Sequence, residues 1–268
     1  MEEQNKRNSM ESNFKRSEKK LTTHDMDLSE CGKYQELNGS WSIWMLISGI
    51  ILCFKNLYGG IVLIIISVII FFLYKRSPKN ISATYFNLAL DSINKYEMKK
   101  AKEHLYEAVK INPENTVAFI LLSSIYYKEG NYKHTIDNII KSNVLKVENS
   151  KYNYLVGVCY FNIDDYNNCI KYLNAVKYED NNDMKYVRDV LLAKTYCLNE
   201  EYKQANKIFN RVENVANEFK GNILEFNYFL GLTYLRLGEN DKASKQLKKI
   251  YKDDSTYRDI ENLIKEIK

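Results

Sequence analysis

Histidine, proline and tryptophan are scarce in this chain, with 3, 2 and 2 copies among 268 residues, and the shortage of histidine removes a class of explanation. His24, His104 and His134 lie far apart and have no ligand spacing with cysteine or acidic residues, which argues against a metal site. The five cysteines, Cys31, Cys53, Cys159, Cys169 and Cys197, are odd in number and contain no CxxC pair. They read as idle or buried thiols of a reducing compartment, not as a disulfide framework. The 10 glycines form no GxGxxG or P-loop pattern, and neither HExxH nor GxSxG occurs. Acid pairs such as Asp164-Asp165 and Asp253-Asp254 fall at helix breaks, where turn and capping roles are ordinary. The chain is therefore read as a non-enzyme, with no catalytic residue, cofactor or metal.

What the chain has is a period. Units of about 34 residues begin at Ser82, Thr116, Ser150, Tyr186 and Leu224, each reading as two amphipathic helices with a break near the fifteenth place, as at Glu129-Gly130-Asn131 and Gly238-Glu239-Asn240. The eighth place holds Ala89, Ser123, Gly157, Ala193 and Gly231; the twentieth holds Ala101, Thr135, Cys169, Ala205 and Ala243. Small side chains at both places let two helix backbones approach closely. Larger apolar residues flank them: Leu88, Leu122, Val156, Leu192 and Leu230 at the seventh place, and Leu105, Ile139, Leu173, Phe209 and Leu247 at the twenty-fourth. Tyr126, Tyr160, Tyr196 and Tyr234 share the eleventh, where the first unit has Ser92.

This pattern resembles the tetratricopeptide repeat family, and the chain looks like a membrane-anchored, bacterial-type member of it. Only Pro113 fills the family's proline place, and the fourth place is polar at Asn153, Asp189 and Asn227. The resemblance implies an all-α fold: a right-handed superhelix of about five helix-turn-helix repeats over residues 82–252, whose first helices line a concave groove. A capping helix is expected over 253–268, with Asp254 and Ser255 as its N-cap and Tyr257, Ile260, Leu263, Ile264 and Ile267 as its apolar face.

Residues 1–40 are polar, with 7 basic and 8 acidic side chains, and cannot bury enough surface to order themselves. They are expected to form a disordered tail. Residues 41–76 follow, in which the only charge between Trp41 and Tyr74 is Lys55, beside the turn signal Asn56, Gly59 and Gly60. One helix over that run would be about 51 Å long against a roughly 30 Å hydrocarbon core. Two spans, 41–54 and 57–74, fit a hairpin better; the rival has only 57–74 spanning and 41–54 lying in the interface. Trp41, Trp44, Tyr58 and Tyr74 are placed as interfacial aromatics, and Lys75, Arg76 and Lys79 put the repeats on the cytoplasmic side. Residues 77–81 read as a linker containing Pro78. The formal net charge of +5 lies mostly beside this anchor, since residues 41–80 carry 4 basic and no acidic side chains, so no nucleic-acid partner is expected.

By the resemblance, the groove is lined by Phe86, Leu90, Tyr127, Lys128, Tyr154, Val158, Phe161, Asn162, Lys194, Tyr228, Leu232 and Arg236. Such a surface suits an amphipathic helix or an extended peptide with apolar anchors. Phe86 with Leu90, and Ile120 with Ser124, lack the Lys and Asn clamp that some family members use to grip a carboxylate. The expected function is a scaffold, integral to the cell membrane through lipid contact of residues 41–76, whose cytoplasmic repeats bind a protein or peptide. The alternative is a subunit of a transport or envelope complex in which the hairpin assembles with other membrane helices and the repeats are structural. Homo-oligomerisation through the repeats is a third possibility.

Overall fold

In the structure, a computed structural model, residues 34–35, 40–146, 149–177, 182–216 and 223–267 are described. The expected tail, apart from Tyr34, Gln35 and Ser40, and most of the insertion before Leu224 lie outside the described residues. Every regular element described is helical, and the helices fall into two compact units that divide between Val144 and Leu145.

The first unit opens with two apolar helices, α1 (Ser40–Cys53) and α2 (Leu57–Lys75), which pack against each other. The turn between them is tighter than the sequence suggested. Asn56 caps α2 by accepting the Gly59 N–H at 3.1 Å, so Gly59 and Gly60 belong to the helix and not to the turn. Gly60 is needed for close approach: a Cβ there would stand 2.3 Å from Cys53 Sγ and 2.5 Å from the Cys53 nitrogen. At the open end the Trp41 and Tyr74 rings meet edge to face, 5.4 Å apart. By length and composition α2 is long and apolar enough to cross a membrane, and α1 is shorter.

No linker follows. Pro78 is the first residue of α3 (Pro78–Asn94), where its missing N–H costs nothing, and Ser77 caps that helix through the Asn80 N–H at 3.3 Å. Asn80 donates to the Tyr74 carbonyl at 2.8 Å, tying α3 to the end of α2. The helix pairs then run α3 with α4 (Met98–Ile111), and α5 (Thr116–Lys128) with α6 (Tyr132–Lys141). The second unit holds α7 (Ser150–Asn162) with α8 (Tyr166–Asn174), α9 (Asn182–Leu198) with α10 (Tyr202–Ala216), and α11 (Ile223–Arg236) with α12 (Asn240–Asp253). The first and fourth pairs begin four residues earlier than the repeat period placed them; the other three begin within one residue.

The break inside each pair is built the same way five times. The fifteenth place is left-handed in every unit: Tyr96 (φ 60°), Gly130 (72°), Asp164 (59°), Glu200 (62°) and Gly238 (76°). The next N–H then reaches back to the eleventh-place carbonyl, from Glu97 to Ser92, Asn131 to Tyr126, Asp165 to Tyr160, Glu201 to Tyr196 and Glu239 to Tyr234, at 2.8 to 3.0 Å. This is the Schellman termination, which satisfies carbonyls that a helix end leaves open.

All ten small residues at the eighth and twentieth places are buried. Thr135 Oγ1 touches the Ser123 carbonyl at 3.4 Å, joining the two places directly in the second pair. In the third and fifth pairs the glycine instead receives the twenty-fourth-place leucine. A Cβ on Gly157 would lie 2.7 Å from Leu173 Cδ2, and one on Gly231 2.6 Å from Leu247 Cδ2. The seventh-place residues are buried too, except Leu88, which is 41% exposed because α3 has no preceding repeat to cover it. The terminal helix α13 is shorter than expected, Ile260–Glu266. Asp254 does not cap it; its Oδ1 accepts from the Thr256 N–H and hydroxyl in a turn, and Arg258 is left-handed (φ 49°) before the helix begins. Ile260 and Leu263 are buried against the second-unit core, with Tyr257, Ile264 and Ile267 partly so.

Candidate partner-binding surface

The candidate groove residues divide between the two units and between two environments. In the first unit Phe86 and Leu90, one helical turn apart on α3, are buried, so they serve as core and not as an open wall. Tyr127 is partly exposed with its ring 5.8 Å from that of Tyr132, and Lys128 projects at the end of α5.

In the second unit Tyr154, Lys194 and Tyr228 are buried, and Lys194 and Tyr228 are bonded inward. Lys194 Nζ meets Glu225 Oε2 at 2.8 Å and lies between the rings of Phe161 (5.8 Å) and Phe229 (5.7 Å). Glu225 Oε1 also takes Arg258, at 3.2 Å, and the Arg258 guanidinium covers the Tyr228 ring at 5.0 Å. The Tyr228 hydroxyl donates to Asp259 at 2.6 Å, and burial together with that bond pushes its phenol well above the usual range. Arg236 pairs with Glu266 of α13. These contacts fasten the terminal segment to α11 and α11 to α9, so Lys194 and Arg236, the cations expected to face a partner here, are engaged with Glu225 and Glu266. What remains accessible is Val158, Phe161 and Leu232, partly exposed, with Asn162 and Arg236 at the rim.

A buried carboxylate with arginine partners stands on α9. Asp189, the polar fourth-place residue, lies 2.7 Å from Arg211 and 2.9 Å from Arg188 Nε, the latter pair being close without hydrogen-bond alignment. It joins α9 to α10 and has structural work enough to explain its polarity.

The polar residues of α3 and the start of α5 form a contact surface of a different kind, which the apolar groove pattern did not reveal. The Gln35 N–H donates to Asn87 Oδ1 at 2.8 Å, and Asn87 Nδ2 donates back to the Gln35 carbonyl at 3.0 Å. The Gln35 and Asn115 side-chain amides pair reciprocally, Gln35 Nε2 to Asn115 Oδ1 at 3.0 Å and Asn115 Nδ2 to Gln35 Oε1 at 3.2 Å. The Tyr34 hydroxyl donates to Asp91, a bond that raises its phenol above the ordinary value. Asn87 and Asp91 stand four apart on one helix face, a spacing visible in the sequence, but what they meet is 52 or more residues away along the chain.

Among the described residues no group of three or more His, Cys, Asp or Glu could hold a metal. The described cysteines are unpaired, and burial lifts the Cys169 thiol to about 11. Cys159 is pushed up further by burial alone.

The tetratricopeptide repeat family model matches residues 150–183 and 224–252. Subunit 3 of the anaphase-promoting complex from Dictyostelium discoideum is 23% identical over 134 residues, covering 49% of this chain and 14% of that protein. The chain thus spans about one-seventh of the length of that curated relative. Among solved structures, Pseudomonas aeruginosa pilF aligns over 84% of this chain and 97% of its own, with 13% identity and a TM-score of 0.47. A chain of the APC/C hetero-tetramer Cut9–Hcn1 aligns over 84% and 52%, with 14% identity and a TM-score of 0.39. By the family model, residues 150–183 and 224–252 of the second unit are similar to tetratricopeptide repeats.

Proposed function

We propose that the chain is a membrane-anchored scaffold whose repeats hold a protein or peptide partner at the cytoplasmic face of the cell membrane. The supporting observation is the surface of α1 and α2: Ser42, Gly60 and Ser67 are inside, whereas Trp44, Phe54, Leu57 and Tyr58 stand out, Phe54 at 89% exposure. Small and hydroxyl-bearing contacts within, with apolar side chains without, suit helices solvated by lipid. The first repeat helix starts three residues after α2 ends, so the tether keeps the array close to the bilayer. A partner also held there meets it at raised effective concentration. Lys75, Arg76 and Lys79 at that junction favour the cytoplasmic side.

The partner surface is assigned to the accessible part of the second unit, with Phe161 and Leu232 as apolar anchors and Asn162 and Arg236 at the rim. Tyr154, Lys194 and Tyr228 support the surface from behind, whereas Phe86 and Leu90 belong to the core of the first unit. In intact membranes, a photocrosslinking residue at Phe161 or Leu232 is expected to capture one defined protein, and one at Lys248 of α12 is not. Capture from all three positions alike, or release of the chain from membranes by alkaline carbonate, would overturn this reading.

A further inference from the structure

We propose that α3 and the start of α5 form a binding site for an extended peptide main chain, and that the chain's own Tyr34–Gln35 segment occupies it in cis. The proposal names a ligand class for the scaffold reading above, but its geometry stands without an external partner. A carboxamide that accepts a peptide N–H and donates to the carbonyl of the same residue recognises backbone, whatever side chain is attached. Asn87 does both with Gln35.

The second contact selects sequence. Asn115 is held from below, its Nδ2 bonded at 2.8 Å to the hydroxyl of Ser82, which itself donates to the Ala108 carbonyl at 2.7 Å. Its Oδ1 also caps α5 through the Ala118 N–H at 3.2 Å. Ser82 and Asn115 are both buried, so the amide facing Gln35 is set by the fold before any ligand arrives. Only a side chain offering both an N–H donor and an oxygen acceptor at that reach completes the pair, and Gln35 does. Asp91 adds preference for a hydroxyl-bearing residue one position earlier, met by Tyr34.

The hairpin explains why the segment is there. Packing of Trp41 on Tyr74 brings the start of α1 beside the end of α2, and α3 follows within three residues. Tyr34 and Gln35 are thereby kept beside the first helix pair at high local concentration, and any outside peptide must displace them.

The probe is a fluorescein-labelled peptide of residues 32–39, GKYQELNG, titrated by anisotropy against the full chain in detergent micelles. The wild type, already occupied, should bind it at least tenfold more weakly than the Tyr34→Ala/Gln35→Pro variant, whose tail has lost its backbone donor and both side chains. Adding Asn87→Ala to that variant should lower affinity at least tenfold, and Asn87→Asp, which keeps the acceptor but not the donor, should fall between. Equal affinity in wild type and opened variant, or no loss with Asn87→Ala at unchanged helical content, would overturn the proposal. Separately, the Gln35 amide should exchange with deuterium at least tenfold faster in Asn87→Ala than in wild type; an unprotected Gln35 amide in wild type would overturn docking in cis. Failure here leaves crosslinking from Phe161 unaffected, so the two readings fail separately.

Discussion

In α1 and α2 the side chains turned inward are Ser42, Gly60 and Ser67, and the outer surface is Trp44, Phe54, Tyr58 and a run of branched aliphatics. In the helix pairs from α3 onward the order is reversed, with Phe86, Leu105, Leu122, Leu173, Phe209 and Leu247 inside and lysines such as Lys99 and Lys248 outside. Both regions bring two helices together at small residues, Gly60 against Cys53 in one and Gly157 or Gly231 against leucine in the other. The shared contact and the opposite surfaces teach that close packing sets the pair, while, on the proposed reading of α1 and α2 as membrane helices, the surrounding medium dictates which side chains are left outside. In water the apolar residues must go in; in lipid nothing drives them there, and backbone proximity decides.

The sharpest way to break the comparison is to fill the shared contact in both regions. Gly60→Leu puts carbon onto the Cys53 backbone, which has no rotamer to yield, so the helices must separate. Bismaleimide crosslinking of Trp41→Cys to Tyr74→Cys should succeed in the parent and fail with Gly60→Leu. In the repeats, Gly157→Leu is expected to cost about 3 kcal/mol, because Leu173 can move only into filled core. Urea unfolding of the detergent-solubilised chain, followed by far-ultraviolet circular dichroism, would measure it. An unchanged midpoint would mean that small residues there are incidental.

Next in size is the fastening of the terminal segment. Lys194→Ala should destabilise the second unit by about 2 kcal/mol, less than the ~3–5 kcal/mol typical of stranding a buried charge, since Glu225 keeps Arg258. Tyr228→Phe should cost about 1 kcal/mol for its bond to Asp259. Both are read from the same unfolding curves, and effects below ~0.5 kcal/mol would show that the segment is loosely held.

The thiols report on burial through pH. Cys169 is raised by burial from its ordinary 9.0 to about 11, so the folded state keeps a proton that the unfolded state loses. That preference leaves stability intact below pH 9 and lowers it as pH climbs through about 11. Iodoacetamide at pH 8 should therefore leave Cys159 and Cys169 unmodified in the folded chain and label them in urea; rapid labelling without urea would show that the repeats open readily.

The smallest effect concerns the five left-handed turn positions. Glu200→Gly and Tyr96→Gly should each stabilise by about 0.5–1 kcal/mol, and Gly130→Ala should destabilise by a similar amount. No change at Tyr96 would mean that its turn is held by tertiary contacts.

Much of this was legible beforehand. The places of the small residues, the starts of the second, third and fifth pairs, and the breaks at Gly130 and Gly238 follow from a period that local chemistry repeats. At Tyr96, Asp164 and Glu200 the break falls where the period places it, but with no glycine there the sequence did not show that the turn is left-handed. The groove was legible only in register. Places five and nine lie on the first helix of each pair as expected, but Tyr154, Lys194 and Tyr228 are buried, because neighbouring helices and the segment before α13 cover them.

The order of side chains along the chain thus determined by itself which helices form, where each pair turns and which residues touch within it, since these depend on contacts between residues near in sequence. Only the tertiary structure decided that Glu225 engages Lys194 and Arg258, that the last helix starts at Ile260, and that Gln35 pairs with Asn87 and Asn115. Those partners are separated by 31 to 80 residues. No local period encodes them, and they become neighbours only once the helices have stacked.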